Sequence, residues 1–160
     1  MTYIKATRKP AGCLFCRVPA SRRDRALLLL HRGRTCFTML NRYPYNGGHL
    51  MVAPYAHKQR LGDLTAAERE ELLGQTCEME ALLDRLLRPH GYNLGINVGR
   101  IAGQGIEGHL HIHIVPRWNG DTNFMSVAAG TRVVSESLDA LYVRLRAGLR
   151  KGAKRRGRRR

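Results

Sequence analysis

The chain has 160 residues, enough for one domain with a single sizeable core. Hydrophobic residues make up 43% and charged residues 25%, which is ordinary globular usage and too apolar for a chain disordered throughout. The longest apolar run, Ala26 to Leu30, is too short to cross a bilayer, and residues 1–10 lack the apolar stretch of a secretory signal.

These features point to a cytoplasmic protein with no membrane partner, whose four cysteines serve as thiols or metal ligands rather than disulfides. The net charge of +16 sits at the two ends. Residues 1–34 hold nine Lys/Arg against one acid, Asp24; residues 150–160 hold eight and no acid; residues 35–149 hold eleven of each sign. The body is neutral, and basic arms of this kind bind polyanions weakly and nonspecifically through counterion release. The expected organisation is a basic N-terminal segment (1–12), one domain (13–149) and a basic tail (150–160) too charged to form an apolar face or a fixed structure.

In chain order, Ala26–Leu30 and Thr35–Leu40 flank His31-Arg32-Gly33-Arg34 and read as a hairpin with a glycine turn. Residues 41–48 read as a loop from their Asn, Pro and Gly content, and His49–Pro54 as another strand. Thr65-Ala66-Ala67-Glu68 is a capping box, followed by Leu72, Leu73, Met79, Leu82, Leu83, Leu86 and Leu87 at helical spacing, with a stop near Pro89 and Gly91. Tyr92–Gly99 and Gly108–Val115 read as two further strands around a glycine-bearing loop, and Ser137–Leu149 as a second helix. Hairpin-joined strands with one inserted long helix predict an antiparallel α+β domain.

The most informative segment is Gly108-His109-Leu110-His111-Ile112-His113-Ile114-Val115-Pro116-Arg117-Trp118. Strict alternation places His109, His111 and His113 on one face of a strand, with successive imidazoles about 6.7 Å apart. Leu110, Ile112 and Ile114 face the core. Histidine can serve as nucleophile, acid, base or metal ligand near neutral pH. Spacing alone leaves three readings open: a metal site, catalysis without a metal, or accident. Cys13-Leu14-Phe15-Cys16 has the gap of a metal knuckle, which by itself is two ligands short of a zinc site. Cys36 and Cys77 read as buried small hydrophobes.

The pattern His-apolar-His-apolar-His-apolar-apolar resembles the signature of the histidine-triad (HIT) family of nucleotide hydrolases and transferases. The resemblance runs from about Cys13 to Leu149 and includes Asn41, His49 and Asn97. Residues 116–125 resemble the bacterial branch associated with diadenosine tetraphosphate phosphorolysis. It implies a bent antiparallel sheet of about five strands with two helices, and a homodimer formed through the long helix and an edge strand. It further implies that His111 attacks the α-phosphate of a purine nucleotide or dinucleoside polyphosphate. The nucleotidyl-histidine so formed would be resolved by inorganic phosphate or water, with no metal required for the chemistry. His109 would orient His111, and His49 and His113 would contact phosphate oxygens. Asn41 would bind the ribose, and Asn97 and the amides around Gly105 the phosphate. Many relatives carry a hydroxyl where this chain has Ile106, and Gln104 or a backbone amide is the expected substitute at the leaving group. In bacterial members, the Cys pair joins a His after the third strand and the first triad His to hold structural zinc. Cys13, Cys16, His57 and His109 stand in those places. Trp118 reads either as packing at a strand end or as a wall of the nucleotide pocket, and Tyr43 and Tyr45 as closing that pocket from another side. Two rival functions are release of AMP from a phosphoramidate or acyl adenylate, and a purine-nucleotide binding module.

Overall fold

The structure, a computed structural model, describes residues 12–106, 108–121 and 136–157, with side chains as far as Gly152. Most of the expected N-terminal segment, residues 122–125 of the motif after the triad, and residues 158–160 lie outside the described residues.

Five strands, β1 (Leu29–Arg32), β2 (Cys36–Leu40), β3 (Leu50–Pro54), β4 (Gly91–Ile96) and β5 (Ile112–Arg117), form one antiparallel sheet in the order β1-β2-β3-β5-β4. Three helices accompany it: α1 (Leu14–Ala20), α2 (Ala66–Leu87) and α3 (Leu138–Gly157). Every residue of β2 and β3 is buried, because both faces of the sheet are covered. Side-chain alternation divides them into two cores. Leu30, Cys36, Leu40, Leu50, Val52, Ile112 and Ile114 pack against α2 and α3. Leu29, Phe37, Met39, Met51 and Ala53 pack against Phe15 and Val18 of α1. Each buried Leu, Val, Ile, Met or Phe among them contributes about 1.5–3 kcal/mol on leaving water.

The long helix begins as its sequence predicts. Thr65 Oγ1 accepts the Glu68 N–H at 3.2 Å, and Glu68 accepts the Thr65 N–H at 2.6 Å. Its acidic face locks the β1–β2 turn. Glu71 accepts the backbone N–H groups of Arg34 (2.7 Å) and Thr35 (2.5 Å) and the Thr35 hydroxyl. A Cβ at Gly33 would stand 2.2 Å from Glu71 Oε1 and Gln75 Nε2, so a larger residue there would push aside the side chains that hold the turn. Gly148 plays the same part between helices, where a Cβ would stand 2.7 Å from Leu86 Cδ1.

Four differences from the sequence reading have physical causes. Ala26–Leu28 belong to a turn rather than to β1: the Leu27 N–H bonds back to Arg23 O, and Leu28 sits at φ 59°, outside strand geometry. Helix α1 was not anticipated; it is short, lacks a side-chain N-cap and contains Pro19, so it carries none of the usual signals. β5 starts at Ile112, and His109 and His111 lie in the extended segment before it. β4 ends opposite Ile112, and although β3 runs on to Pro54 its pairing stops at Val52, because the Leu110 N–H bonds the Lys58 carbonyl and the His109 ring takes the Pro54 carbonyl. Finally, α3 continues to Gly157, where a structureless tail from residue 150 was expected. No Gly or Pro stop follows Leu149 directly, Arg, Lys and Ala propagate helices well, and cations are favourable at a helix C-terminus. No helix among the described residues is long and apolar enough to cross a membrane.

Candidate active site

The alternation survives outside the ladder. Leu110, Ile112 and Ile114 enter the helix-side core, while His109 and His111 turn to the other face and pack on Phe15, with ring centroids 5.3 and 4.6 Å away. His113 is paired with Met51 and Gly95 and touches His111 edge-on at 4.7 Å. His49, immediately before β3 and fully buried, completes the row with its Nε2 2.9 Å from His113 Nδ1.

The hydrogen bonds fix the tautomers, since a backbone N–H can only donate and a carbonyl can only accept. The Tyr45 N–H donates to His49 Nδ1 at 3.1 Å, so the His49 proton sits on Nε2 and is donated to His113 Nδ1. His113 therefore carries its own proton on Nε2. His111 Nδ1–H donates to the His109 carbonyl at 2.9 Å, which leaves a lone pair on His111 Nε2. His109 donates from Nε2 to the Pro54 carbonyl at 2.9 Å, leaving its Nδ1 lone pair toward the cysteines.

Burial keeps this row neutral. It pushes His49 down to about 3, helped by repulsion from His113 and His111, and His113 down to about 4, helped by His111. His111 is also lowered by burial, against the opposing hydrogen bond to the His109 carbonyl. A neutral imidazole with an unprotonated nitrogen is a nucleophile, and an Nε2–H beside it is a donor for developing negative charge.

Beside the row, Cys13, Cys16, His57 and His109 bring one ligand atom each within 4.8 Å of one another. Sγ of Cys13 is 3.3 Å from His109 Nδ1, and Sγ of Cys16 lies 3.4 Å from His57 Nδ1 and 3.6 Å from His109 Nδ1. Tetrahedral zinc with two thiolates and two imidazoles requires sulfur–nitrogen separations of about 3.6 Å. The donor set and its spacing fit a metal ion.

Asn41 lies at the row, its Nδ2 3.3 Å from His49 Nδ1 and its Oδ1 accepting the Tyr43 N–H. Tyr45 stacks on His49 at 4.8 Å, whereas Tyr43 is 74% exposed. Asn97 ties down the glycine loop by donating to the Gly103 carbonyl at 3.3 Å, and Gly105 is exposed with open space around it. Gln104 is not where the sequence reading put it, while Ile106 and Trp118 fall within what that reading left open. Gln104 is buried, and both ends of its amide bond the protein, so it offers nothing to a leaving group. Ile106 packs on the apolar cluster around Phe15 and supplies no polar group. Trp118 lines a cleft of about 310 Å³ with Leu86, Leu87 and Leu141 on the helix side of the sheet. It follows His113 by an odd number of residues, which turns it to the opposite face. Sequence reasoning missed Phe15 beneath His111, for which its place between the two cysteines was the only signal. It also missed the Tyr45 N–H and the Pro54 carbonyl, for which there was none.

Residues 28–120 match the profile of the HIT domain. The chain is 44% identical over 115 residues to an AP-4-A phosphorylase of Mycobacterium tuberculosis, covering 72% of this chain and 59% of that protein. It is 30% identical over 93 residues to the asymmetrical bis(5'-nucleosyl)-tetraphosphatase of Schizosaccharomyces pombe, covering 58% of this chain and 50% of the relative. It thus spans 59% and 50% of the length of these two relatives. Among solved structures, it superposes on a hypothetical histidine triad nucleotide-binding protein of Sulfolobus tokodaii with a TM-score of 0.69 at 26% identity, covering 87% of this chain and 93% of that one. A zinc-bound histidine triad family protein of Mycobacterium smegmatis superposes with a TM-score of 0.71 at 24% identity, covering 89% and 96%; at that identity the likeness is one of fold.

Proposed function

The chain belongs to the HIT family, and from that premise we propose that it cleaves dinucleoside polyphosphates, diadenosine tetraphosphate foremost, through a nucleotide linked covalently to His111. The observation that carries this reading is the bond from His111 Nδ1–H to the His109 carbonyl, which leaves Nε2 free to attack.

His111 Nε2 attacks the α-phosphorus, forming an N–P bond as the bond to the bridging oxygen breaks and ATP leaves with the electron pair. The negative charge that grows on the phosphoryl oxygens meets the His113 Nε2–H, with His49 fixing that tautomer from behind. Inorganic phosphate or water then attacks the adenylyl-histidine, returning Nε2 its lone pair and releasing ADP or AMP. Asn41 receives the ribose, and the backbone amides around Gly105 receive the phosphate chain.

Ile106 bears on substrate class. It offers no hydroxyl to protonate a leaving group. An amine released from a phosphoramidate needs a proton, whereas the phosphate end of ATP is a stable anion and leaves without one. That difference favours a phosphoanhydride substrate. Turnover of diadenosine tetraphosphate with and without inorganic phosphate, with products identified by mass, tests the reading. ATP plus ADP means phosphorolysis and ATP plus AMP means hydrolysis; no turnover in either condition overturns it.

Cys13, Cys16, His57 and His109 would hold a zinc ion, which joins α1 to the triad segment and takes no part in the chemical step. The exposed Leu94 on edge strand β4 and the exposed Leu73 on α2 support a homodimer through these two elements. The cationic end of α3 would bind polyanions weakly.

A further inference from the structure

Gln104 is 3% exposed in a loop where Ile101, Ala102 and Gly105 are open to solvent. Its amide has one orientation. The Gly99 N–H can only donate, and it meets Oε1 at 2.9 Å, so Nε2 faces the His109 carbonyl at 3.2 Å. The same carbonyl receives the Nδ1–H of His111 at 2.9 Å. One oxygen with two lone pairs thus serves two donors. The other end of that peptide is held as well, because the Leu110 N–H donates to the Lys58 carbonyl at 2.7 Å.

We infer that Gln104 is a positioning residue for His111: it holds the His109–Leu110 peptide so that its carbonyl aims the imidazole, and it couples that aim to the glycine loop at Gly99–Gly105. The inference rests on the reading of His111 as the attacking residue. Without the Gln104 amide, the peptide plane is fixed only through the Leu110 N–H. The carbonyl can then tilt out of line with the His111 Nδ1–H, which loosens the ring and weakens its preference for the Nδ1–H tautomer. Misplacement of a reacting atom by about 1 Å costs about 10²-fold in rate. The coupling follows from the other end of the side chain. Gln104 bonds Gly99 twice, through Oε1 and through its own N–H to the Gly99 carbonyl at 3.3 Å, so a ligand that orders the loop also orders the side chain that aims His111.

Two substitutions separate aiming from loop anchoring. Gln104→Ala removes both side-chain bonds, to Gly99 and to His109, and keeps the backbone one. Gln104→Glu, assayed at alkaline pH, keeps an acceptor for the Gly99 N–H and sets a carboxylate oxygen against the His109 carbonyl, so it removes only the donor. The expected result with diadenosine tetraphosphate is a loss of about 10- to 100-fold in kcat for both variants, with KM within about threefold. Nitrogen-15 shifts of His111 should also move away from the Nδ1–H tautomer in both. A Gln104→Glu variant with kcat within twofold of the unaltered protein and unchanged His111 shifts overturns the inference. So does a kcat loss in both variants that merely follows a collapse in Tm while the shifts stay put. His111→Ala is the control for the underlying reading: if it retains turnover, that reading fails by itself, and the His111 shifts still decide whether Gln104 holds the ring.

Discussion

His49 Nε2 lies 2.9 Å from His113 Nδ1, two residues that are 64 positions apart in the chain and meet because β3 and β5 are neighbours in the sheet. The Tyr45 N–H behind His49 sets the direction of this bond, and burial keeps both rings uncharged, so the pair delivers an N–H to the site without delivering a charge.

Replacing His111 by Ala should lower turnover by about 10⁴-fold or more while nucleotide binding persists, since a deleted nucleophile closes the covalent route. Rapid quench of the unaltered protein with labelled substrate should place an acid-labile adenylyl group on the peptide of residues 101–117. Label on another residue, or more than a tenth of the activity left in the variant, would remove His111 from that role. His113→Ala should cost less, about 10²–10³-fold, because it removes one donor to the developing charge.

Protein purified without chelators should contain close to one zinc per chain, with zinc–sulfur distances near 2.3 Å and zinc–nitrogen distances of about 2.0–2.1 Å by X-ray absorption. Chelation should lower Tm, because the four ligands join α1, the segment after β3 and the triad segment. Only trace zinc, together with a Tm indifferent to chelator, would count against the site.

Stability should fall as pH drops from about 6.5 toward 4. The folded protein holds His113 at about 4 and His49 at about 3, while an unfolded chain titrates histidine near 6.5. The unfolded state therefore takes up protons first, at a cost to folding of up to about 1.4 kcal/mol per pH unit for each ring. Urea midpoints between pH 7 and pH 4.5 should show the slope, and His113→Asn should make it shallower by about one proton. An unchanged slope in that variant would mean that His113 is not held neutral by the fold.

Deleting residues 150–160 should leave turnover of a small nucleotide nearly unchanged. The packing of α3 on the body uses Leu141, Tyr142 and Leu145, with Gly148 against Leu82 and Leu86, all of which the truncation spares. Binding to DNA, measured by fluorescence anisotropy, should weaken steeply with salt in the full chain and largely vanish in the truncated one. A tenfold loss of turnover on truncation would instead assign the cationic turns of α3 a part in the active site.

What the sequence determined by itself is whatever depends on periodicity and local chemistry. Alternation at period two put His109, His111 and His113 on one face and Leu110, Ile112 and Ile114 on the other. The same parity turns Trp118 away from His113, although its place beyond the triad allowed either packing or a pocket wall. The Thr65–Glu68 box marked the start of α2 to the residue, because both of its bonds close within four positions. What only the tertiary structure decided is which lone pair meets which proton. Cys13 reaches His109 across 96 positions, Tyr45 sets the His49 tautomer with a backbone N–H, and the Pro54 carbonyl turns His109 Nδ1 toward the cysteines. Gln104, polar and beside two glycines, looked like a ligand-binding residue until its two ends were found on Gly99 and His109. Hydrogen-bond partners are chosen by proximity in space and by the direction of donors and acceptors, and neither exists until the strands have paired.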